Sequence, residues 1–272
     1  MSAVLQALGD GVVVAERNII KIRRVPDLLV GVTLGPIMFV LLFAYVFGGS
    51  IQIPGLENGY REFLIPGIFA QSVIFGATIT GSAMAQDLKS GIIDRFRSLP
   101  MSASAVLVGR TTADVIANVI QVVVMSIAGL VVGWRIRTNP LDALLGFLLL
   151  LLFAYAVSWV MAYVGMIVRS PEVFNNASFI LIFPITFIAI TFVPAENLPT
   201  PLRIFAEWNP VSAITQAARE LFGNVPPPGS PIGEPTAWPL QNPVLYTLVW
   251  VVILLVVFIP LTIQQYKRAV SR

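Results

Sequence analysis

The sequence has no cysteine and no histidine. Disulfides, thiol chemistry, haem held through Cys or His, and His-ligated zinc are therefore excluded. So are a Ser-His protease and any imidazole proton relay. The missing cysteine leaves the redox compartment open. Charge is also scarce: Asp, Glu, Lys and Arg make up 11% of 272 residues, where a soluble domain carries about 25%. No Gly-rich loop ends in Lys-Ser or Lys-Thr, which removes P-loop ATP hydrolysis by this chain. The first twenty-four residues mix charged and apolar residues without a compact apolar run and cleavage site, unlike a secretory signal peptide.

What is abundant is apolar surface. Hydrophobic residues reach 57%, gathered into runs long enough for membrane helices. The reading is an all-α integral membrane protein with six transmembrane helices, over about 28–47, 63–86, 113–133, 141–168, 173–195 and 243–263. The second run is rich in Gly, Ala, Ser and Thr, which let helices approach closely. Its Gln71 is expected to bond to a neighbouring helix or face a polar cavity. Asp114 is placed at the cytoplasmic edge of the third run, and Pro184 near the middle of the fifth. Few ionisable residues lie deep in these spans. That argues against a proton- or sodium-driven pump and for a path lined by apolar, aromatic and small polar groups.

Residues 1–25 form an expected amphipathic helix. Leu5, Leu8, Val12, Ala15, Ile19 and Ile22 share one face, and Glu16, Arg17, Lys21 and Arg23 lie off it. The remainder, 26–272, is the transmembrane domain. Within it, segment 87–110 is too polar for lipid. Leu88, Ile92, Phe96 and Leu99 make a helical stripe among Lys89, Asp94, Arg95 and Arg97, and Pro100 ends it. Residue pattern supports equally a helix that docks on an ATP-hydrolysing subunit and a basic loop that fixes topology. The loop 196–242 holds apolar residues in its first half, predicting short helices that dip into or cover the outer mouth. Its second half, PPPGSPIGEPTAWP, predicts irregular or polyproline-like chain.

Six spans put both termini on one side. That side collects twelve of the 17 Lys and Arg, and the other side five, counting Arg135 and Arg137 in a short loop. The excess places the termini and the central loop in the cytoplasm. The net charge of +3 fits an anionic inner leaflet and requires no nucleic acid.

Several short stretches carry a family resemblance. They are Asp87-Leu88 with Gly91, Arg95-Phe96-Arg97-Ser98-Leu99-Pro100-Met101-Ser102, Gly109-Arg110, and Asn209-Pro210-Val211-Ser212 followed by Arg219. In order and spacing the chain resembles the ABC-2 type permeases, and within them the daunorubicin-resistance permease group. The resemblance implies a fold like that of the type V ABC exporters, with a cytoplasmic coupling helix and re-entrant outer helices. It implies a permease, not itself an enzyme, in the cytoplasmic membrane of a prokaryote. The implied partners are two P-loop ATPase subunits, which carry the ATP and Mg, and a second permease chain, the same or related. The implied cargo is a hydrophobic or amphipathic drug, antibiotic, lipid or glycolipid. Carried onto this chain, Glu16 and Arg17 with Asp94, Arg95, Phe96, Arg97, Leu99 and Pro100 are the ATPase-coupling residues. Trp208, Asn209, Pro210 and Arg219 shape the outer gate. The resemblance assigns no residue to the substrate path. The alternatives are an ion-coupled secondary transporter and an intramembrane enzyme or membrane-assembly scaffold.

Overall fold

In a computed structural model the protein is described over residues 26–48, 56, 59–90, 103–227 and 235–270. Among these residues the regular structure is helical, with no strand. The elements are α1 (Pro26–Leu42), continued by a π-helical turn at Phe43–Phe47, α2 (Tyr60–Lys89), α3 (Ala103–Val132), α4 (Pro140–Ile167), α5 (Pro171–Phe187), α6 (Thr200–Trp208), α7 (Pro210–Phe222), the single turn α8 (Trp238–Gln241) and α9 (Pro243–Val270).

One local device starts several of these helices: a capping residue followed by proline. Asn139 accepts from the Asp142 N–H ahead of Pro140, Ser170 from Val173 ahead of Pro171, and Asn209 from Val211 ahead of Pro210. The side-chain oxygen satisfies one of the orphan donors of the first turn. Proline at the first helical position gives up no bond, because its missing N–H would have no intrahelical partner. Such starts fix helix ends to the residue, which hydropathy does not. At the other end of α7, Gly223 adopts φ 73° and its N–H reaches the Arg219 and Glu220 carbonyls. A side chain at that φ would be strained, so glycine closes the helix.

Among the described residues, four helices are long and apolar enough to cross a membrane: Tyr60–Lys89, Asp114–Val132, Pro140–Ile167 and Pro243–Arg268. The central one is α2. Its apolar window is 83% buried, against 11% for that of α9, so α2 faces protein and α9 faces outward. α2 packs on α4 most extensively and also on α3, α5 and α7. Small residues permit this. A Cβ on Gly165 of α4 would overlap the Gly81 carbonyl of α2, and one on Gly67 would lie 2.5 Å from the Thr191 carbonyl. The small-residue character of the second apolar run thus becomes backbone-to-backbone packing.

The helix read over 173–195 is shorter than its apolar run. α5 ends at Phe187, and 188–194 are turns and bends before a 3-10 turn at Ala195–Asn197. Pro184 therefore sits in the last turn of a helix and not at the middle of a span. Hydropathy cannot see this break, because Ile188–Val193 is as apolar as the helix before it. Asp114 stands at the edge of the apolar span Asp114–Val132, as its position in the third run predicts; its Oδ2 accepts from the Thr80 hydroxyl at 2.6 Å, and α3 continues back to Ala103.

Candidate outer cap and intramembrane cavity

The non-helical stretch after α5 exposes backbone groups that a membrane protein must satisfy internally. Side chains of α7 and α2 do so. Asn209 Nδ2 donates to the Ile185 carbonyl at 2.7 Å, and the Ser212 hydroxyl accepts from the Ile190 N–H at 3.1 Å. Arg219 donates through Nε to Phe63 O at 2.9 Å and through Nη2 to Ile190 O at 2.7 Å and Thr191 O at 3.1 Å. Its guanidinium carbon lies 3.4 Å from the centroid of the Phe63 ring, within the range of a cation–π contact. The Tyr60 hydroxyl donates to Phe192 O at 3.0 Å. The side chains of Ser212, Arg219 and Tyr60 therefore hold one irregular strap, Asn209 holds the last turns of α5 before it, and Arg219 is 1% exposed.

A second set of contacts seats the loop between α3 and α4 on the C-terminal end of α7. The Arg137 N–H donates to Phe222 O at 2.8 Å, and the Thr138 hydroxyl to Leu221 O at 2.6 Å. Trp134 Nε1 donates to Asn224 Oδ1 at 2.7 Å, and Asn224 Nδ2 returns to Arg135 O at 2.9 Å. Beneath them, Trp134 and Phe222 meet Phe69 edge-on with centroids 5.2 and 6.1 Å away. The two arginines of this loop are paired off. Arg137 bridges to Glu62 at 2.7 Å, and Arg135 donates to Leu130 O and Trp134 O, both at 2.7 Å.

Because the Glu62 carboxylate is buried while Arg137 keeps part of its surface in contact with the outside, the pair is worth less than a fully desolvated one. Glu62→Gln is expected to cost about 1–2 kcal/mol after that discount. A double-mutant cycle with Arg137→Gln, read by thermal unfolding in detergent, checks it. Strict additivity of the two single changes would show that the pair contributes nothing.

α1, α2, α3 and α5 line a half-open cavity of about 340 Å³. Its polar lining is Gln71, Ser72 and Gln121, and its aromatic lining is Phe39, Phe75 and the α5 phenylalanines. Gln71 thus faces a cavity. Signals for it were present in the sequence: Phe39, Phe43 and Phe47 recur at steps of four, as do Phe179, Phe183 and Phe187. Residue reading by span missed both ladders.

Of the candidate gate residues, Asn209, Pro210 and Arg219 lie on or at the start of α7; Arg219 binds the strap, and Asn209 binds the end of α5 just before it. Trp208 ends α6 with its side chain outward, and its carbonyl accepts from the Tyr246 hydroxyl at 2.8 Å. The candidate coupling residues Glu16, Arg17, Asp94, Arg95, Phe96, Arg97, Leu99 and Pro100 lie outside the described residues. Beside that segment, Lys89 at the end of α2 meets Glu172 at the start of α5 at 3.4 Å. Ser170 first, then the Glu172 backbone N–H and Lys89, hold the Glu172 carboxyl below the usual range. Both side chains are exposed, so this bridge orients more than it stabilises.

A family model described as ABC-2 type transporter matches residues 11–222. The daunorubicin resistance ABC transporter permease protein DrrB1 of Streptomyces coeruleorubidus is 32% identical over 206 residues, which cover 76% of this chain and 72% of that protein. The probable doxorubicin resistance ABC transporter permease protein DrrC of Mycobacterium tuberculosis is 23% identical over 242 residues, 89% of this chain and 82% of that one. The putative transport permease ycf38 of Cyanophora paradoxa is 23% identical over 215 residues, 78% and 73% of the two chains.

Proposed function

From the premise that this chain belongs to the ABC-2 type transporter family, we propose that it is the permease subunit of an exporter powered by a separate ATPase. The observation that carries the reading is the family match over 11–222, which takes in the central polar segment and the outer cap together. The cargo is a hydrophobic or amphipathic compound. Support comes from relatives named for daunorubicin and doxorubicin resistance and from the apolar and aromatic lining of the cavity.

In this reading six spans cross the cytoplasmic membrane of a prokaryote, with both termini and segment 87–110 inside. Helices α1 and α5 complete the four long spans, and α6 and α7 re-enter from the outer face. The pairing of Arg135 and Arg137 with acceptors of the chain itself supports an outer position for two cations that would otherwise favour the cytoplasm. Residues 1–25 form a helix in the interface, and 26–272 the transmembrane domain. The chain carries no catalytic group of its own. Two ATPase subunits supply ATP and Mg, and a second permease chain completes the path. Glu16 and Arg17, with Asp94 to Pro100, transmit ATPase closure to α2 and α3. The strap held by Arg219, with the end of α5 held by Asn209, forms the outer gate.

Mild-detergent purification from the native membrane tests the partnership. Recovery of a P-loop ATPase is expected, and recovery of this chain alone, under conditions that preserve other membrane complexes, would overturn it. Phe96→Asp and Leu99→Asp test the coupling surface. Each is expected to leave insertion intact and to lower transport at least about tenfold per ATP hydrolysed, because a charge replaces an apolar contact. Normal transport by both variants would return 87–110 to the role of a topology signal.

A further inference from the structure

Hydroxyls on membrane helices commonly turn back onto their own backbone, and several here do: Thr78 donates to Phe75 O, Ser126 to Val122 O and Thr186 to Ile182 O. Thr80 turns the other way. Its Oγ1 reaches across from α2 to α3 and donates to Asp114 Oδ2 at 2.6 Å. A hydroxyl on a carboxylate at that distance is a short, strong bond. Thr80 is fully buried, and Asp114 stands where the apolar span of α3 begins. An ionisable group beside lipid is a candidate for function, to be read through its partner.

The place of this bond gives it meaning. α2 ends at Lys89 and α3 begins at Ala103, so the two helices are the stems of the central polar segment. One residue past Thr80, α2 is fixed to the rest of the bundle: a Cβ on Gly81 would overlap the Phe174 ring of α5 and the Met161 carbonyl of α4. α3 is held differently. Its apolar window is 33% buried against 83% for α2, and it meets α2 along a polar seam. Ser72, Gly76 and Thr80 recur at steps of four on α2 and face, in antiparallel order, Gln121, Asn118 and Asp114 of α3. At Gly76 the seam is unsatisfied. Asn118 Oδ1 and Gln121 Oε1 lie 2.5 and 2.8 Å from where a Cβ would stand, and both are buried without a donor. Their amino ends are committed to Asp114 O at 3.0 Å and Ser72 O at 3.3 Å, so neither amide can flip to cure this. Unpaired buried acceptors do nothing to favour the observed register. Among the described residues of the seam, the height of α3 therefore rests on the Thr80–Asp114 bond, with the longer neutral bond from Gln121 beside it.

We propose that Thr80 and Asp114 are positioning residues for coupling: their bond sets the height of α3 against α2, so that both stems of the polar segment answer the ATPase as one body. This role rests on the exporter reading and extends it to a pair outside the docking surface. With the bond cut, the unpaired oxygens offer no resistance to a slip of α3 by one helical turn, about 5 Å. Movement of α2 then no longer carries α3 with it.

Because the sequence has no cysteine, spin labels attach only where cysteines are introduced. Gln86→Cys on α2 and Val119→Cys on α3 are exposed positions. Double electron–electron resonance reads their separation in the full chain in phosphatidylcholine nanodiscs. With Thr80 in place one narrow distance is expected. Thr80→Val keeps the shape and loses the hydroxyl, and is expected to add a component displaced by about 5 Å. Thr80→Ser is expected to restore the single distance. Asp114→Asn keeps an acceptor and loses the charge, so it is expected to fall between, and it replaces Thr80→Val if that variant does not fold. The same labels are then read in the complex with the co-purified ATPase, at rest and trapped with MgATP and vanadate. With Thr80 the separation is expected to stay the same on trapping, and with Thr80→Val to change. A merely structural bond would lower the unfolding temperature of Thr80→Val and leave the separations alone, and that outcome would overturn the proposal. So would a separation that changes on trapping while Thr80 is in place. The exporter reading fails separately. If no ATPase co-purifies, the coupling role falls with it, while the separation in the chain alone still shows whether the bond sets the height of α3. If an ATPase co-purifies and Thr80→Val leaves the separations unchanged, only the role of this pair falls.

Discussion

Arg219→Met is expected to abolish transport and to destabilise the protein by several kcal/mol. The guanidinium satisfies the carbonyls of Phe63, Ile190 and Thr191 from a fully enclosed position. Removing it takes this donor from the Ile190 and Thr191 carbonyls of the non-helical strap, at about 1–3 kcal/mol each, and a second donor from Phe63 O within α2. Some of this returns, because a buried charge is itself costly and methionine carries none. The carbonyls are the deciding factor. Ile190 O and Thr191 O belong to the strap after α5, outside any helix ladder, and Phe63 O to the first turn of α2. A loss of this size is a large part of a typical stability of about 5–15 kcal/mol. Arg219→Lys keeps the charge and the stem but not the planar fork, so its ammonium cannot span from Phe63 to Ile190 and Thr191 in one geometry. The expected order is wild type, then Lys, then Met, in unfolding temperature and in resistance of the 188–194 strap to proteolysis. A Met variant that unfolds at the wild-type temperature and transports normally would show that the strap is held by other means.

Gly165→Leu is expected to be as damaging for a different reason. At this crossing the backbones of α2 and α4 touch, and a Cβ on Gly165 would overlap the carbonyl oxygen, carbon and Cα of Gly81. Backbone atoms in two long helices cannot step aside as a side-chain tip can. Even Gly165→Ala must push α4 off α2, against the most extensive helix contact in the bundle. Overpacking ordinarily costs about 1–3 kcal/mol, and backbone against backbone belongs at the top of that range or above it. Gly35→Ala is the matched control, since nothing lies within 4 Å of its would-be Cβ. Yield of monodisperse protein in detergent and its unfolding temperature are the readouts. Equal behaviour of Gly165→Ala and Gly35→Ala would mean that the two helices do not approach as closely as the structure places them.

The two positions differ in how far the sequence announced them. The Gly, Ala, Ser and Thr content of the second apolar run marked it as a contact helix, because small side chains serve close approach and little else in a membrane. It did not identify Gly165 as the partner of Gly81, since the pairing of distant segments leaves no local trace. Arg219 stood out as a cation in an outer segment, and the family resemblance attached it to the gate. That it reaches back to Phe63 and forward to the strap depends on where α7 docks. The cavity was legible only as two phenylalanine ladders and one polar residue, Gln71, in apolar surroundings. Gln121 gave no sign of sharing its wall.

Composition and periodicity by themselves determined the class of this protein. Apolar runs of spanning length need lipid, scarce buried charge leaves little for ion coupling, and the order of short motifs carries the family. These are properties of single segments and of their sequence order, so one chain suffices to read them. The tertiary structure decided the rest: that α2 is enclosed while α9 faces outward, that the fifth helix stops at Phe187, that Arg135 and Arg137 are paired, and that the Asn118 and Gln121 amide oxygens converge beside Gly76. Each depends on which segments meet and at what height. Hydropathy treats Ile188–Val193 like any apolar run, whereas the docking of α7 supplies donors that let that stretch leave the helix.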